Sequence, residues 1–124
     1  MSLVLIAVGG GAGAVARYLV DTTIAQRVGG AFPLGTLAVN LSGSLLLGLL
    51  FALSIERGVL PASIRAPLMI GFLGAYTTFS TLMIESWRLA EDGALALAAL
   101  NILGSAALGV IAVLVGLMLG RALA

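Results

Sequence analysis

The sequence predicts an all-α membrane protein of four transmembrane helices, the third of them broken. Three observations carry that prediction. Of the 124 residues, 61% are apolar and only 9% are charged, against about 25% charged in a soluble domain. The apolar residues fall into four runs, near 3–20, 34–55, 66–84 and 93–120, and a crossing needs about 20 residues. The third run holds Gly71-Phe72-Leu73-Gly74-Ala75-Tyr76-Thr77-Thr78-Phe79-Ser80-Thr81. Its two glycines and four hydroxyl residues loosen helical hydrogen bonding where bulk water cannot replace it. Irregular backbone at membrane depth survives only where it lines a cavity or is buried in protein, and in transport proteins such breaks often mark an ion site.

The first run, Leu3–Val20, reads as a span and not as a cleavable signal. Met1 to Val8 carries no basic residue, and the apolar stretch continues to Ala16. Gly9, Gly13 and Arg17 recur every fourth residue, so they share one helix face. The Gly9–Gly13 segment follows no strand and lacks the lysine of a phosphate loop, which excludes a nucleotide site. Arg17 is the one charge well inside an otherwise apolar run. Either it snorkels to the interface, or it lines a wet vestibule and concentrates an anion by Coulomb attraction. Asp21, four residues on, reads as its ion-pair partner or as a helix-end charge.

The second run, Leu34–Ile55, carries Thr36, Asn40, Ser44 and Gly48 at the same spacing. The fourth, Gly93–Gly120, carries Asn101, Ser105 and Gly109, then Gly116 and Gly120. Small residues at this spacing let helices approach closely in lipid, so the glycines read as packing. Asn40 and Asn101 differ, because a primary amide is costly in hydrocarbon without partners. Each is compatible with interhelical hydrogen bonding and with lining a pore. In the third run, Ala66–Ile84, Phe79 stands out only for its place in the hydroxyl run. A ring edge is partially positive and can face an anion without a full charge that would trap it.

No enzyme chemistry is visible. Without Cys or His there is no disulfide, no usual zinc, haem or iron–sulfur ligand set, and no thiol or imidazole nucleophile or base. Glu56, Glu85, Glu91 and Asp92 lie at loops or helix ends with no partner base. A net charge of +1 gives no basic face for nucleic acid. The arginines do not orient the chain. Arg57, Arg65 and Arg121 fall on one side, and Arg17, Arg27 and Arg88 on the other. So even a balance either leaves orientation to the first helix or lets the protein insert both ways, as an antiparallel pair would.

Donors and acceptors for ions are concentrated in the third run. Hydroxyl and amide protons donate to anions, and carbonyls released by a broken helix coordinate cations. At this point four segments resemble the Fluc/CrcB family of fluoride ion channels: Gly9–Tyr18, Pro33–Gly48, Gly71–Thr81 extended to Glu85, and the Asn101/Ser105/Gly109 spacing. The second and third matches are long and specific, the first is moderate and the fourth weak.

The resemblance implies a dual-topology antiparallel homodimer with two pores, in the plasma (inner) membrane. It implies a structural sodium ion at the dimer centre, held by backbone carbonyls at positions matching Gly74 and Thr77. It also implies an anion pathway through Asn40, Phe79, Ser80, Asn101 and Ser105, with Arg17 on the vestibule side and Glu85 at the end of the third helix. The sequence departs from the family at Leu82, where a second pore phenylalanine is usual. Asn101 stands where Tyr is common and Gly109 where a hydroxyl is common. The expected function is passive, fluoride-selective export, with fluoride, sodium, lipid and a second copy as partners. Two alternatives differ in kind. A small multidrug-type proton-coupled transporter needs a carboxylate deep in the first helix, and Leu3 to Ala16 holds none. A structural membrane subunit would explain the glycines but not two Asn and a hydroxyl run at membrane depth.

Overall fold

The computed structural model describes residues 2–124. Met1, which opens the segment read above as lacking a basic stretch, lies outside the described residues. Helix α1 runs over Ser2–Val28. Gly29 and Gly30 adopt positive φ (67° and 86°), which a residue with a Cβ adopts only with strain. They turn the chain into Pro33, which precedes α2 (Leu34–Phe51). One π-helical segment, Ala52–Glu56, continues α2 to its end. The third span comes in pieces: α3 (Ala62–Arg65), a π-helical segment Ala66–Phe72, α4 (Leu73–Tyr76) and α5 (Phe79–Glu91). Helix α6 covers Leu95–Leu123. Among the described residues, four stretches are long and apolar enough to cross a membrane: Ser2–Val28, Leu34–Glu56, Ala62–Glu91 and Leu95–Leu123. The protein is therefore a multi-pass membrane protein.

The helices outrun the apolar windows. Asp21 and Arg27 lie within α1, and Glu85, Arg88 and Glu91 within α5, although the sequence reading put these charges at helix ends and connections. At 1.5 Å per residue, α1 is roughly 40 Å long. It therefore extends beyond a hydrocarbon core of about 30 Å, and its last turns can carry charge. The Arg17–Asp21 ion pair does not form. The Arg17 guanidinium reaches elsewhere, and Asp21 lies against Gly35 at the start of α2.

Packing is by backbone contact. Helix α2 packs along α6, and α1 packs along the Ala66–Phe72 segment; these are the two largest interfaces. At the first, Gly48 sits against the Val113 carbonyl, and Gly116 against the Leu45 carbonyl. At the second, a Cβ on Gly71 would come 2.6 Å from the Ile6 carbonyl oxygen, and Gly13 faces the Phe72 carbonyl. The glycines thus serve the close helix approach that their spacing predicts. Pro67 supplies the reason for the π geometry. It has no N–H to donate, and its ring crowds the carbonyl four residues back, so the turn widens.

Burial is inverted relative to a soluble protein. Large apolar side chains such as Ile70, Leu103 and Met118 face outward, while Thr36, Ser54, Ser86, Asn101 and Ser105 are buried. Apolar side chains lose nothing by facing lipid, and polar groups must find partners inside. The small apolar core is Val39, Leu73 and Tyr76, flanked by Ala16, Val20, Leu50 and Phe72. The Tyr76 and Phe72 rings stack with centroids 5.9 Å apart, and the Tyr76 hydroxyl is 2.9 Å from Ser42 Oγ. This core lies beside the break in the third span and fixes its first half.

Candidate ion site at the broken third span

The break is two residues long. Thr77 (φ −79°, ψ 153°) and Thr78 (φ −146°, ψ 115°) are extended between α4 and α5. Side chains take over the hydrogen bonds that the helix gives up. In an unbroken helix the Thr78 amide would bind the Gly74 carbonyl, and the Thr81 amide the Thr77 carbonyl. Here the Thr78 N–H donates to Asn40 Oδ1 at 2.7 Å, and Asn40 Nδ2 donates back to the Thr78 carbonyl at 3.0 Å. The Thr81 N–H donates to Thr78 Oγ1 at 3.3 Å, an N-cap for α5. At the other end Thr77 donates both its N–H and its hydroxyl to the Leu73 carbonyl, at 3.0 and 2.9 Å.

Four carbonyls lose their helical donors at the break, those of Gly74, Ala75, Tyr76 and Thr77. Arg17 takes up that of Ala75. Among the rest, Gly74 and Thr77 are the positions that the sequence reading gave to a cation. Carbonyl oxygens of this kind fit an alkali-metal ion, which needs hard, uncharged oxygen donors in place of water. Gly74 is exposed, and a Cβ there would meet only the Met69 carbonyl, at 3.9 Å, so the backbone at this point is open to approach.

Beside the break lies a cleft of about 390 Å³, lined among others by Asn40, Ser44, Gly74, Thr77, Phe79 and Ser105. The structure thus brings together five of the residues read from sequence: Asn40, Gly74, Thr77, Phe79 and Ser105. Phe79 is 74% exposed, so its ring edges the cleft from the outer surface. Leu82, at the position of the missing ring, is buried in the cleft wall. The remaining three sit elsewhere. Ser80 is on the outer surface. Asn101, 1% exposed, is one turn from Ser105 on α6, where its Nδ2 donates to Ser86 Oγ at 2.9 Å. Arg17 approaches the break from α1, and its Nε donates to the Ala75 carbonyl at 3.0 Å. Among the described residues, Asn101 Oδ1 and Ser105 Oγ are buried with no hydrogen-bond partner, an acceptor and a hydroxyl in a row along α6.

Two residues escaped the sequence reading. Thr78 is the pivot of the break; threonine is a favoured N-cap residue, but Thr81 stands where a capping box would need Glu or Gln, so its sequence signal was weak. Ser86 anchors Asn101 and donates to the Leu82 carbonyl at 2.7 Å. It gives no sequence signal, because its partner is 15 residues away on another helix. A second crevice, of about 360 Å³, opens where the end of α1, the turn after it and α5 meet. Asp21, Glu85, Arg88 and Asp92 line it, and Arg17 does not.

Fold and site together define a four-span membrane protein with a cleft at a broken helix, mainly apolar but edged by Asn40, Ser44, Thr77 and Ser105, the architecture of an ion-conducting protein and not of an enzyme. Residues 4–117 match the family model described as CrcB-like protein, Camphor Resistance (CrcB), and the chain belongs to that family. Several curated relatives carry the name fluoride-specific ion channel FluC. The protein of Magnetococcus marinus is 45% identical over 121 residues, covering 98% of this chain and 98% of its own length. That of Coxiella burnetii is 48% identical over 126 residues, covering 99% and 100%. That of Methylococcus capsulatus is 50% identical over 124 residues, covering 100% of this chain but 54% of its own length. The chain thus spans about half of that relative and nearly all of the other two.

Proposed function

We propose that this chain is a fluoride channel that lets the anion leave the cytoplasm down its gradient. The observation that carries the reading is the exchange of hydrogen bonds at Thr77–Thr78 beside the cleft that Asn40 and Ser105 edge, in a chain 45% identical end to end to a fluoride-specific channel. A small anion entering the cleft must trade its water for other donors. Asn40 Nδ2 has a second hydrogen beyond the one on the Thr78 carbonyl. The Ser105 hydroxyl has no protein partner. Phe79 offers a partially positive ring edge. Asn101 and Ser80 extend the path on either side, and Arg17 adds full positive charge near the break. Apart from Arg17 the donors are neutral, and a channel needs binding strong enough to admit the ion but weak enough to release it.

The Gly74 and Thr77 carbonyls are the residues that would hold a sodium ion, which when bound supplies fixed positive charge beside the anion path. One chain offers too few carbonyls to replace a hydration shell. A second copy inverted in the membrane would bring the same two carbonyls to the same axis. The even split of arginines between the two ends supports insertion in both orientations. The proton-coupled transporter gains no support, since the first acid of α1 is Asp21 and it faces Gly35 at the far end.

The test is anion efflux from liposomes holding the purified protein. Rapid, electrogenic fluoride release with chloride retained is expected, and Asn40→Ala and Phe79→Ala should each lower it by at least tenfold. Absence of fluoride release, with coupled uptake of organic cations, refutes the channel. Normal flux in both variants refutes the assigned path.

A further inference from the structure

We propose that Asn40 is a positioning residue for the cation site, because its grip on both backbone groups of Thr78 keeps the Thr78 amide off the Gly74 carbonyl. The inference rests on the cation reading above and assigns to Asn40 a role separate from donating to the anion. Of the six carbonyls from Leu73 to Thr78, four lose their helical donors at the break, those of Gly74, Ala75, Tyr76 and Thr77. Those of Leu73, Ala75 and Thr78 carry donors from Thr77, Arg17 and Asn40. The Gly74 carbonyl has lost its helical donor to Asn40 Oδ1, and the bond that removes it, at 2.7 Å, is the shorter of the two Asn40 makes.

Take the amide of Asn40 away and the Thr78 N–H stands unpaired at membrane depth, which is strongly disfavoured. Helical register offers it one acceptor, the Gly74 carbonyl four residues back. Closing that bond lengthens α4 by a residue and consumes one of the two candidate carbonyls. Asn40 also lines the cleft, so this one side chain borders both ion positions. Loss of flux on changing it then has two separable causes, a missing donor for the anion and a closed carbonyl for the cation.

Two variants of the full chain separate them, with melting followed by the fluorescence of Trp87, the sole tryptophan. The probe is sodium chloride against N-methylglucamine chloride. Sodium should raise the melting temperature of the unmodified protein by about 5 °C or more. Asn40→Asp keeps an oxygen to accept the Thr78 N–H, so the sodium response should persist while fluoride efflux falls at least tenfold. Asn40→Ala should lose both. A folded Asn40→Ala variant with the full sodium response overturns the proposal. So does a folded Asn40→Asp variant without one, which decides the matter alone if the alanine variant does not fold. A native protein indifferent to sodium removes the cation reading and this inference together, and leaves the fluoride reading to the efflux experiment.

Discussion

Replacing Gly116 by alanine tests whether the α2–α6 interface is held by backbone contact. The added methyl would fall on the Leu45 carbonyl oxygen, with the Leu49 amide nitrogen at 2.8 Å and the Leu45 carbonyl carbon at 3.1 Å. Comfortable contact begins near 3.5 Å and the Leu45 oxygen lies closest of the three, so the helices must part by more than about 1 Å at this point, beyond the roughly 0.5–1 Å gap that already forfeits a quarter to a half of each neighbouring contact. Backbone atoms cannot rotate aside as a side chain can. Overpacking of this kind costs about 1–3 kcal/mol. Alanine also favours helix over glycine by about 0.8–1.0 kcal/mol, which masks part of the loss. Gly11→Ala supplies the correction, since a Cβ there meets nothing within 4 Å and gains the same propensity. The stability difference between the two variants therefore isolates the contact, and about 1–3 kcal/mol is expected in favour of Gly11→Ala. Equilibrium unfolding in mixed micelles measures it. Equal stability of the two variants would show that α6 is not seated on α2 as described.

Three further outcomes are expected. Thr78→Ala removes the cap of α5 and should cost about 1 kcal/mol, with slower fluoride efflux; a variant of native stability argues against the cap. Ser86→Ala strips Asn101 of its hydrogen bond, and a double-mutant cycle with Asn101→Leu should give a coupling of about 0.6–1.7 kcal/mol, whereas zero coupling means that the pair does not form in the membrane. Arg121→Ala breaks the forked ion pair with Glu56, at 2.7 and 2.8 Å. Because that pair is solvent-facing and salt-screened, melting should stay within experimental scatter, and a clear drop would mark the pair as structural.

The four spans and the broken third helix were legible because both are local properties. Apolar runs declare a crossing, and Gly and Thr together declare a weak helix. The Gly48 and Gly116 contacts followed from small-residue spacing for the same reason. What escaped depends on partners distant in sequence. Arg17 offered two fates, vestibule or snorkelling, while its Nε finds the Ala75 carbonyl 58 residues on. Asn40 pointed either to a partner or to a pore, and it borders the cleft while holding Thr78 with both amide atoms. The Asp21 ion pair failed because α1 continues to Val28 and turns that side chain toward α2. The Ala66–Phe72 widening was not read from the sequence, although Pro67 is its local cause.

The order in which the spans find each other has a consequence for biogenesis. The partner of α1 is the third span, and the principal partner of α2 is α6. Neither of the two largest interfaces joins neighbours in the chain, so neither can form while only the first two spans have left the ribosome. Until α6 is made, α2 presents Ser44 and Gly48 to lipid or to whatever helix is near. The seam that locks the bundle closes last, and a chain interrupted before Gly116 would lack the surface that α2 is shaped to receive.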